Sequence, residues 1–166
     1  MLFRSRESEE TLMKNVFDRQ DKVLQLNKLA TSSIAKAHLE AKVAWEKGAT
    51  EEQMKPILQL IRQAQWRWDY VAASHGGSFH APLESARILA LSIQKGEEAR
   101  RLIGELLVKM GVQTPVQLAD FSTKEKAQQL IGLDMPALCK AKLDFIATVV
   151  PQWDKAAKDK YGEVYK

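Results

Sequence analysis

The side chains of this sequence best suited to bind a metal or a cofactor are its three histidines, His38, His75 and His80. Two of them, His75 and His80, flank the pair Gly76-Gly77 in a chain that otherwise indicates one helix after another. A plain connection between packed helices requires neither a double glycine nor two imidazoles. The segment therefore has two interpretations, a simple helix–helix loop or a loop that presents a ligand.

His80 has the sequence surroundings of a metal or haem ligand. It follows the glycine turn and stands beside Phe79. It also precedes Ala81-Pro82, and a proline restricts the residue before the proline to extended geometry. This pattern predicts an imidazole that is anchored on one side, free of helix geometry, and able to reach an axial position on a metal or haem iron. A lone histidine is by itself a weak metal signal, because protein metal sites combine several ligands.

The other two histidines have structural explanations. His75 is predicted to terminate a helix, where the helix dipole favours a protonated imidazole. His38 is predicted inside a long helix, partly buried or at an interface, with ligation as a minor alternative. A metal site that uses both His75 and His80 is a further alternative, which needs a third and a fourth ligand.

Motifs for other chemistries are missing from the sequence. It has no glycine-rich phosphate loop, no HExxH and no GxSxG motif. Ser74 precedes His75, but adjacent residues at a helix end do not face each other as a nucleophile and its base do. Cys139 is the single cysteine, so neither a CxxC motif nor an internal disulfide is available. We interpret Cys139 as a small, semi-buried apolar residue.

The composition is that of an ordinary single-domain protein. The chain has 166 residues, of which 45% are hydrophobic and 28% charged, and a net charge of +4. Its 25 basic residues are spread along the sequence, which argues against a nucleic-acid surface. The first ten residues lack the apolar segment of a signal peptide, and no run of about 18 apolar residues predicts a membrane span. Taken literally, this start indicates a cytoplasmic protein.

The apolar spacing predicts an all-α fold in which long helices form an extended bundle. From about Ser8 to Lys47 there is neither proline nor glycine, and apolar or small residues recur at steps of three, four or seven. Such a helix of about 40 residues would be about 60 Å long, more than a small domain is wide. It therefore needs a partner helix from this chain or from a second subunit. Its stripe comprises Leu12, Val16, Val23, Leu26, Ala30, Ile34, Ala37, Ala41 and Ala44.

Further helices are predicted on both sides of the glycine turn. Thr50 and Gln53 form a capping box that opens the second helix, in which Pro56 predicts a bend or a restart. Pro82 opens the third helix, and Gly111 ends it. The core candidates are Ile57, Leu60, Ile61, Ala64, Trp68 and Val71 in the second helix, and Leu83, Ile88, Leu91, Leu102, Leu106 and Met110 in the third.

Two more helices are predicted in the C-terminal part of the chain. Ser122 to Glu125 reads "STKE", a capping box that opens a short helix. Asp134 caps a last long helix, which Pro151 should kink.

Four segments resemble the C-terminal helical part of the ammonia-forming cytochrome c nitrite reductases: "AKAHLEAKVAWEKGATEEQMKPIL", "IRQAQWRWDYVAASHGGSFHAPLE", "STKEKAQQLIGL" and "DFIATVVPQW". The resemblance covers the chain from about Arg6 onward, and its most specific part is AQWRWD…ASHG…HAP. It implies a periplasmic multihaem enzyme that reduces nitrite to ammonia with six electrons. In that family the reaction occurs on a lysine-ligated haem near a calcium ion, the other haems have two histidine ligands, and the long C-terminal helices form a homodimer.

The resemblance implies a ligand role for one residue of this chain. The histidine of the HAP motif is the distal axial ligand of a haem in that family, and this position is His80 here. His75 matches the loop but no ligand position. No catalytic residue is expected in this chain, since the lysine ligand, the other active-site residues and the calcium ligands would lie upstream.

The sequence departs from the family by having no CxxCH or CxxCK haem-attachment motif. We therefore interpret residues 1–7 as a truncated or non-native start and residues 8–166 as the C-terminal helical domain of a multihaem cytochrome c. Haem c would be attached upstream, where the export signal would also lie, and the isolated chain is expected to be inactive.

The expected partners also follow from the resemblance. They are a second copy bound through the long helices, the upstream haem-bearing domain, an electron-donor cytochrome or quinol dehydrogenase, and nitrite as substrate. The alternative is a haemless, free-standing helical module for dimerisation or interaction. Without a haem domain the face around Trp66, Trp68 and Phe79 would lie open, so the isolated chain is expected to dimerise or aggregate.

Overall fold

The computed structural model describes residues 7–162, and in that range it contains seven α-helices and no β-strand. The all-α prediction is confirmed. The predicted non-native start falls almost wholly on residues 1–6, outside the described range. The helices are α1 (Glu9–Glu46), α2 (Glu51–Ala73), α3 (Gly77–His80), α4 (Pro82–Lys109), α5 (Lys124–Leu130), α6 (Met135–Thr148) and α7 (Val150–Tyr161).

The contacts divide the chain into two compact units, one up to Leu118 and the other from Ala119 onward. In the first unit, α1 and α2 both pack mainly against α4. In the second unit, α6 and α7 pack on each other, and the rings of Phe145 and Trp153 meet edge to face with centroids 5.3 Å apart.

The long first helix is confirmed, with 38 residues. The Ser8 hydroxyl accepts a hydrogen bond from the Thr11 amide at 3.2 Å and caps its start. Gly48 follows its end with a φ of 90°, a left-handed conformation that favours glycine.

The side of α1 that faces the core consists mostly of small side chains. Small residues allow two helix backbones to approach closely. The buried residues of α1 are Val23, Ala30, Ser33, Ile34, Ala37, Ala41 and Ala44. The first 14 residues of the helix, 9–22, include no buried side chain.

The closest approach of α1 and α4 lies at Gly96. A Cβ atom at this position would stand 2.4 Å from the Oγ atom of Ser33. The same Ser33 hydroxyl donates a hydrogen bond of 2.8 Å to Glu97, the residue after Gly96 on α4. Gly96 therefore lacks a side chain because the facing helix occupies that space.

An ion-pair network fixes the same two helices further along. Arg100 on α4 donates hydrogen bonds to Glu40 on α1, with 2.9 Å between Nη2 and Oε1, and to Glu97 on its own helix. The side chain of Glu40 is only 12% exposed, so this pair is better shielded from water than a surface pair. The hydrogen bond with Glu40 is the main reason that the pKa of Arg100 is raised.

The predicted core face of α2 is confirmed at Ile57, Ile61, Ala64 and Val71, whereas Leu60 and Trp68 are half-buried. The predicted core face of α4 is partly wrong. Leu83 was expected in the core and is 86% exposed, while Leu106 is buried as expected. Ile88, Leu91, Leu102 and Met110 are only half-buried. The face of α4 that packs inward carries small residues, which a search for large apolar side chains does not detect. Its buried residues are Ser85, Leu89, Ser92, Gly96, Ala99, Ile103, Leu106 and Leu107.

Pro56 does not restart α2, so that alternative is wrong. The helix runs unbroken through the proline. Met54 and Ile57, which flank it, are buried, and their packing holds the helix across the missing amide. The capping box at the start of α2 is confirmed, with 2.8 Å between the Thr50 amide and the Gln53 side-chain oxygen.

The C-terminal predictions are correct in outline. The cap of α5 is Thr123 rather than Ser122, because the Thr123 hydroxyl accepts a hydrogen bond from the Lys126 amide at 3.3 Å. Asp134 caps α6 as expected. Pro151 lies in the first turn of α7, so the predicted single helix is divided in two.

Cys139 is exposed, and its predicted semi-buried position is wrong. It lies on α6, a helix that has no buried residue within the described part of the chain.

Two glycine-to-alanine changes on α4 test the close approach of the helices. Gly96→Ala should lower the free energy of unfolding by ~1–3 kcal/mol, because the new methyl group overlaps Ser33. Gly104→Ala is the matched control: nothing lies within 4 Å of its added Cβ, and the change should stabilise the helix by ~0.5–1 kcal/mol. Urea denaturation followed by circular dichroism measures both. Equal stabilisation by the two changes would contradict the tight contact.

Candidate functional site

Each glycine of the loop between α2 and α4 has its own steric role. Gly76 adopts a φ of 76°, which L side chains rarely adopt. Gly77 begins α3, and a Cβ atom there would lie 3.1 Å from the Cβ of Ser74. The carbonyl of Gly77 accepts a hydrogen bond of 3.1 Å from the hydroxyl of Ser85 on α4. The double glycine therefore makes a tight turn that is fastened to the next helix.

His80 is the last residue of the one-turn helix α3, so the prediction that it is free of helix geometry is wrong. Its amide donates to the Gly76 carbonyl at 2.8 Å. The restriction imposed by Pro82 falls on Ala81, whose φ of −135° and ψ of 57° interrupt the helix. Pro82 thus restricts the backbone of Ala81 only, and not that of His80.

The imidazole of His80 is exposed and chemically free. Its ring meets the Phe79 ring edge to face, with centroids 5.0 Å apart and planes at 66°. Its Cδ2 atom lies so near Gly76 that a Cβ there would be 3.1 Å away. Neither ring nitrogen has a hydrogen-bond partner among residues 7–162. Such an imidazole can offer a lone pair to a metal centre brought from outside.

The other two histidines do not join His80 in a site. His75 is exposed and follows Ser74, the C-cap of α2, so it lies just beyond the helix it was expected to terminate. His38 is exposed rather than partly buried, and it lies on α1 at the edge of the buried stripe, beside α2. Its Nε2 atom lies 3.2 Å from the Gln65 side-chain oxygen.

Other chemistries are not supported by the geometry of the turn. The Ser74 hydroxyl donates to the Tyr70 carbonyl at 2.6 Å, so it is not paired with His75 as a nucleophile would be. No three His, Cys, Asp or Glu side chains in the described range lie close enough together to hold a metal ion. The turn can therefore supply one axial ligand to a metal that other residues hold.

Known proteins provide the context for this turn. The family model described as cytochrome c552 matches residues 5–161, nearly the whole chain. The chain belongs to the cytochrome c552 family. Cytochromes c carry haem c, and the free imidazole of His80 is a chemically suitable axial ligand for a haem iron.

Relatives in this family share more than half of the aligned residues. A cytochrome c-552 from Parabacteroides distasonis is 56% identical over 154 residues, which are 93% of this chain and 31% of that protein. One from Porphyromonas gingivalis is 55% identical over 155 residues, with the same two shares. A third, from Bacteroides thetaiotaomicron, is 54% identical over 153 residues, 92% of this chain. The chain thus spans about a third of the length of the curated cytochromes c-552 that it matches.

Within the described part of this cytochrome c552 chain, no helix is both long and apolar enough to cross a membrane.

One contact of the turn was missed from the sequence. The guanidinium carbon of Arg19 on α1 lies 6.0 Å from the centroid of the Phe79 ring. A signal for it does exist, because Arg19 falls between Val16 and Val23 at steps of three and four, on the apolar stripe of α1. A charged residue among the apolar residues of a helix face indicates that its side chain contacts a specific group of the protein.

The turn geometry can be tested with two glycines of nearly equal φ. Gly76→Ala and Gly111→Ala should each cost ~1–2 kcal/mol, since both positions are left-handed. Only Gly76→Ala should also displace the His80 ring, because nothing lies within 4 Å of a Cβ at Gly111. The measurements are urea denaturation and the ¹H–¹³C NMR resonances of His80. A His80 signal that moves in neither variant would show that Gly76 does not shape the imidazole position.

Proposed function

We propose that this chain is the C-terminal helical region of a multihaem cytochrome c nitrite reductase, in which His80 is the distal axial ligand of a haem attached elsewhere in the protein. The observation that carries the proposal is the free imidazole of His80 on a turn that a left-handed glycine shapes, in a chain of the cytochrome c552 family. The HAP motif that contains His80 is the most specific part of the resemblance to these enzymes.

Haem ligation by His80 would not require the turn to give up a hydrogen bond of the imidazole. A bound haem c supplies reversible one-electron transfer, and a second imidazole ligand favours a low-spin iron. His80 would present a ring nitrogen without first breaking a hydrogen bond inside residues 7–162. The sequence has a single cysteine and hence no attachment motif, so the haem would reach His80 from another part of the protein.

The activity proposed for the whole protein is the six-electron reduction of nitrite to ammonia. Its catalytic residues and calcium ligands would lie outside this chain, in the part of the relatives that the chain does not span. The periplasmic location and the donor, a cytochrome or a quinol dehydrogenase, are proposed on the same resemblance. On its own, the chain would not reduce nitrite.

We also propose that the long helices form a homodimer. The first 14 residues of α1, which contain no buried side chain, expose Leu12, Met13 and Phe17. An exposed apolar stretch on a helix that extends beyond its core favours contact with a partner. The same stretch supports the alternative of a haemless helical module for dimerisation, from which the haem proposal differs at His80.

His80→Ala decides between the two functions. In a haem-loaded cytochrome c552 that contains this region, the change should convert one low-spin haem to high spin, because the iron loses an axial nitrogen. Optical and electron paramagnetic resonance spectra measure the loss. His75→Ala is the control, an exposed histidine of the same loop, and should leave all haems low-spin. Identical spectra for His80→Ala and the unchanged protein would favour the haemless module.

The oligomeric state tests the second role of the chain. The purified 166-residue chain should form dimers. Phe17→Glu should weaken them by at least ~10-fold in Kd, since it places a charge in an apolar contact. Leu83→Glu, at an 86% exposed position of α4, is the matched control and should leave the dimer intact. Light scattering that shows a monomer at high concentration would refute the dimer.

A further inference from the structure

His80 lacks the hydrogen bond that usually orients a metal-binding histidine. In most metal sites the second ring nitrogen donates to a carboxylate, a carbonyl or a water, and this bond fixes the ring plane. Neither nitrogen of His80 has a protein partner among the described residues. Within residues 7–162, the ring of His80 is therefore oriented by contacts other than a hydrogen bond.

The structure offers two such contacts, one with Gly76 and one with Phe79. Gly76 lies against one edge, since a Cβ there would be 3.1 Å from Cδ2 and 3.6 Å from Nε2 of His80. Phe79 meets the ring edge to face at 5.0 Å, an arrangement that aromatic pairs favour over stacking in full register. Rotation of the imidazole about its side-chain bonds would break the contact with Phe79 or bring the ring against the turn.

Phe79 is in turn held by α1. It is half-buried, and its ring has the Arg19 guanidinium 6.0 Å from its centroid, within the range of a cation–π contact. Arg19 forms no ion pair within residues 7–162, so this aromatic face is its specific partner there. The contact joins α3 to α1, which pack on each other in the first unit.

We infer that Phe79, held by Arg19, is a positioning residue that fixes the plane of the His80 imidazole. The inference rests on the proposed function, because the plane matters only if His80 binds a metal. In a haem with two imidazole ligands, the ring planes determine how the ligand π orbitals overlap with those of the iron. A change of plane therefore alters the electronic structure of the iron without removing the ligand.

The first experiment needs no haem and uses the 166-residue chain. The ring current of Phe79 should shift the His80 Cε1–H resonance away from that of the exposed His75. Phe79→Leu should abolish this difference, Phe79→Tyr should keep it, and Arg19→Gln should reduce it. Trp45→Leu, which removes an exposed ring on α1 26 residues after Arg19, should leave it unaltered. An unchanged His80 signal in Phe79→Leu would overturn the inference.

The second experiment uses a haem-loaded cytochrome c552 that contains this region. Phe79→Leu should retain a low-spin haem but shift its g values and its midpoint potential, and Phe79→Tyr should restore both. Unaltered g values and potential in Phe79→Leu would overturn positioning, even where ligation is intact. If His80→Ala leaves every haem low-spin, the proposed function fails, and the proton resonances alone then show whether Phe79 orients the ring.

Discussion

The close approach of α1 and α4 at Gly96 is the constraint on which the first unit depends. The Ser33 side chain occupies the space that a Cβ at Gly96 would take, and its hydroxyl then reaches Glu97 at 2.8 Å. Arg100 and Glu40 extend the contact by two helical turns of α1. Together these contacts set one register between the helices. Arg19 lies 14 residues before Ser33, about 21 Å along α1, so this register also decides where its guanidinium meets α3.

The histidine turn is shaped by backbone stereochemistry and by contacts of its aromatic rings. A left-handed glycine turns the chain, a second glycine admits Ser74 and Ser85, and one helical turn then carries Phe79 and His80 to the surface. An exposed histidine is ordinary in a soluble protein. This one is a candidate ligand because the chain belongs to a cytochrome family and because both ring nitrogens are free of protein partners in the described range.

The second unit leaves most of its apolar side chains exposed to solvent. Its helices α5, α6 and α7 include no buried residue in the described part of the chain. Large apolar side chains such as Leu143 and Trp153 are more than 60% exposed. A small unit with this composition gains little from its own apolar burial. The relatives are about three times as long as the matched region. Exposed apolar side chains in the second unit agree with the proposal that the chain is one part of a larger enzyme, in which other residues would pack against them.

The sequence by itself determined the features that local interactions control. Side-chain caps at Thr50 and Asp134, the glycine after α1 and the long apolar stripe act within one turn or one helix, so their residue types are sufficient to predict them. The ligand role of His80 is of a different kind, because it is a prediction from the resemblance at the HAP motif. Only the tertiary structure decided that α4 packs through Ser92, Gly96 and Ala99, and that Arg19 meets Phe79. The sequence of one helix does not show whether a small or charged residue will face the core. That depends on the helix packed opposite it, because the distance between the two backbones decides which side chains fit.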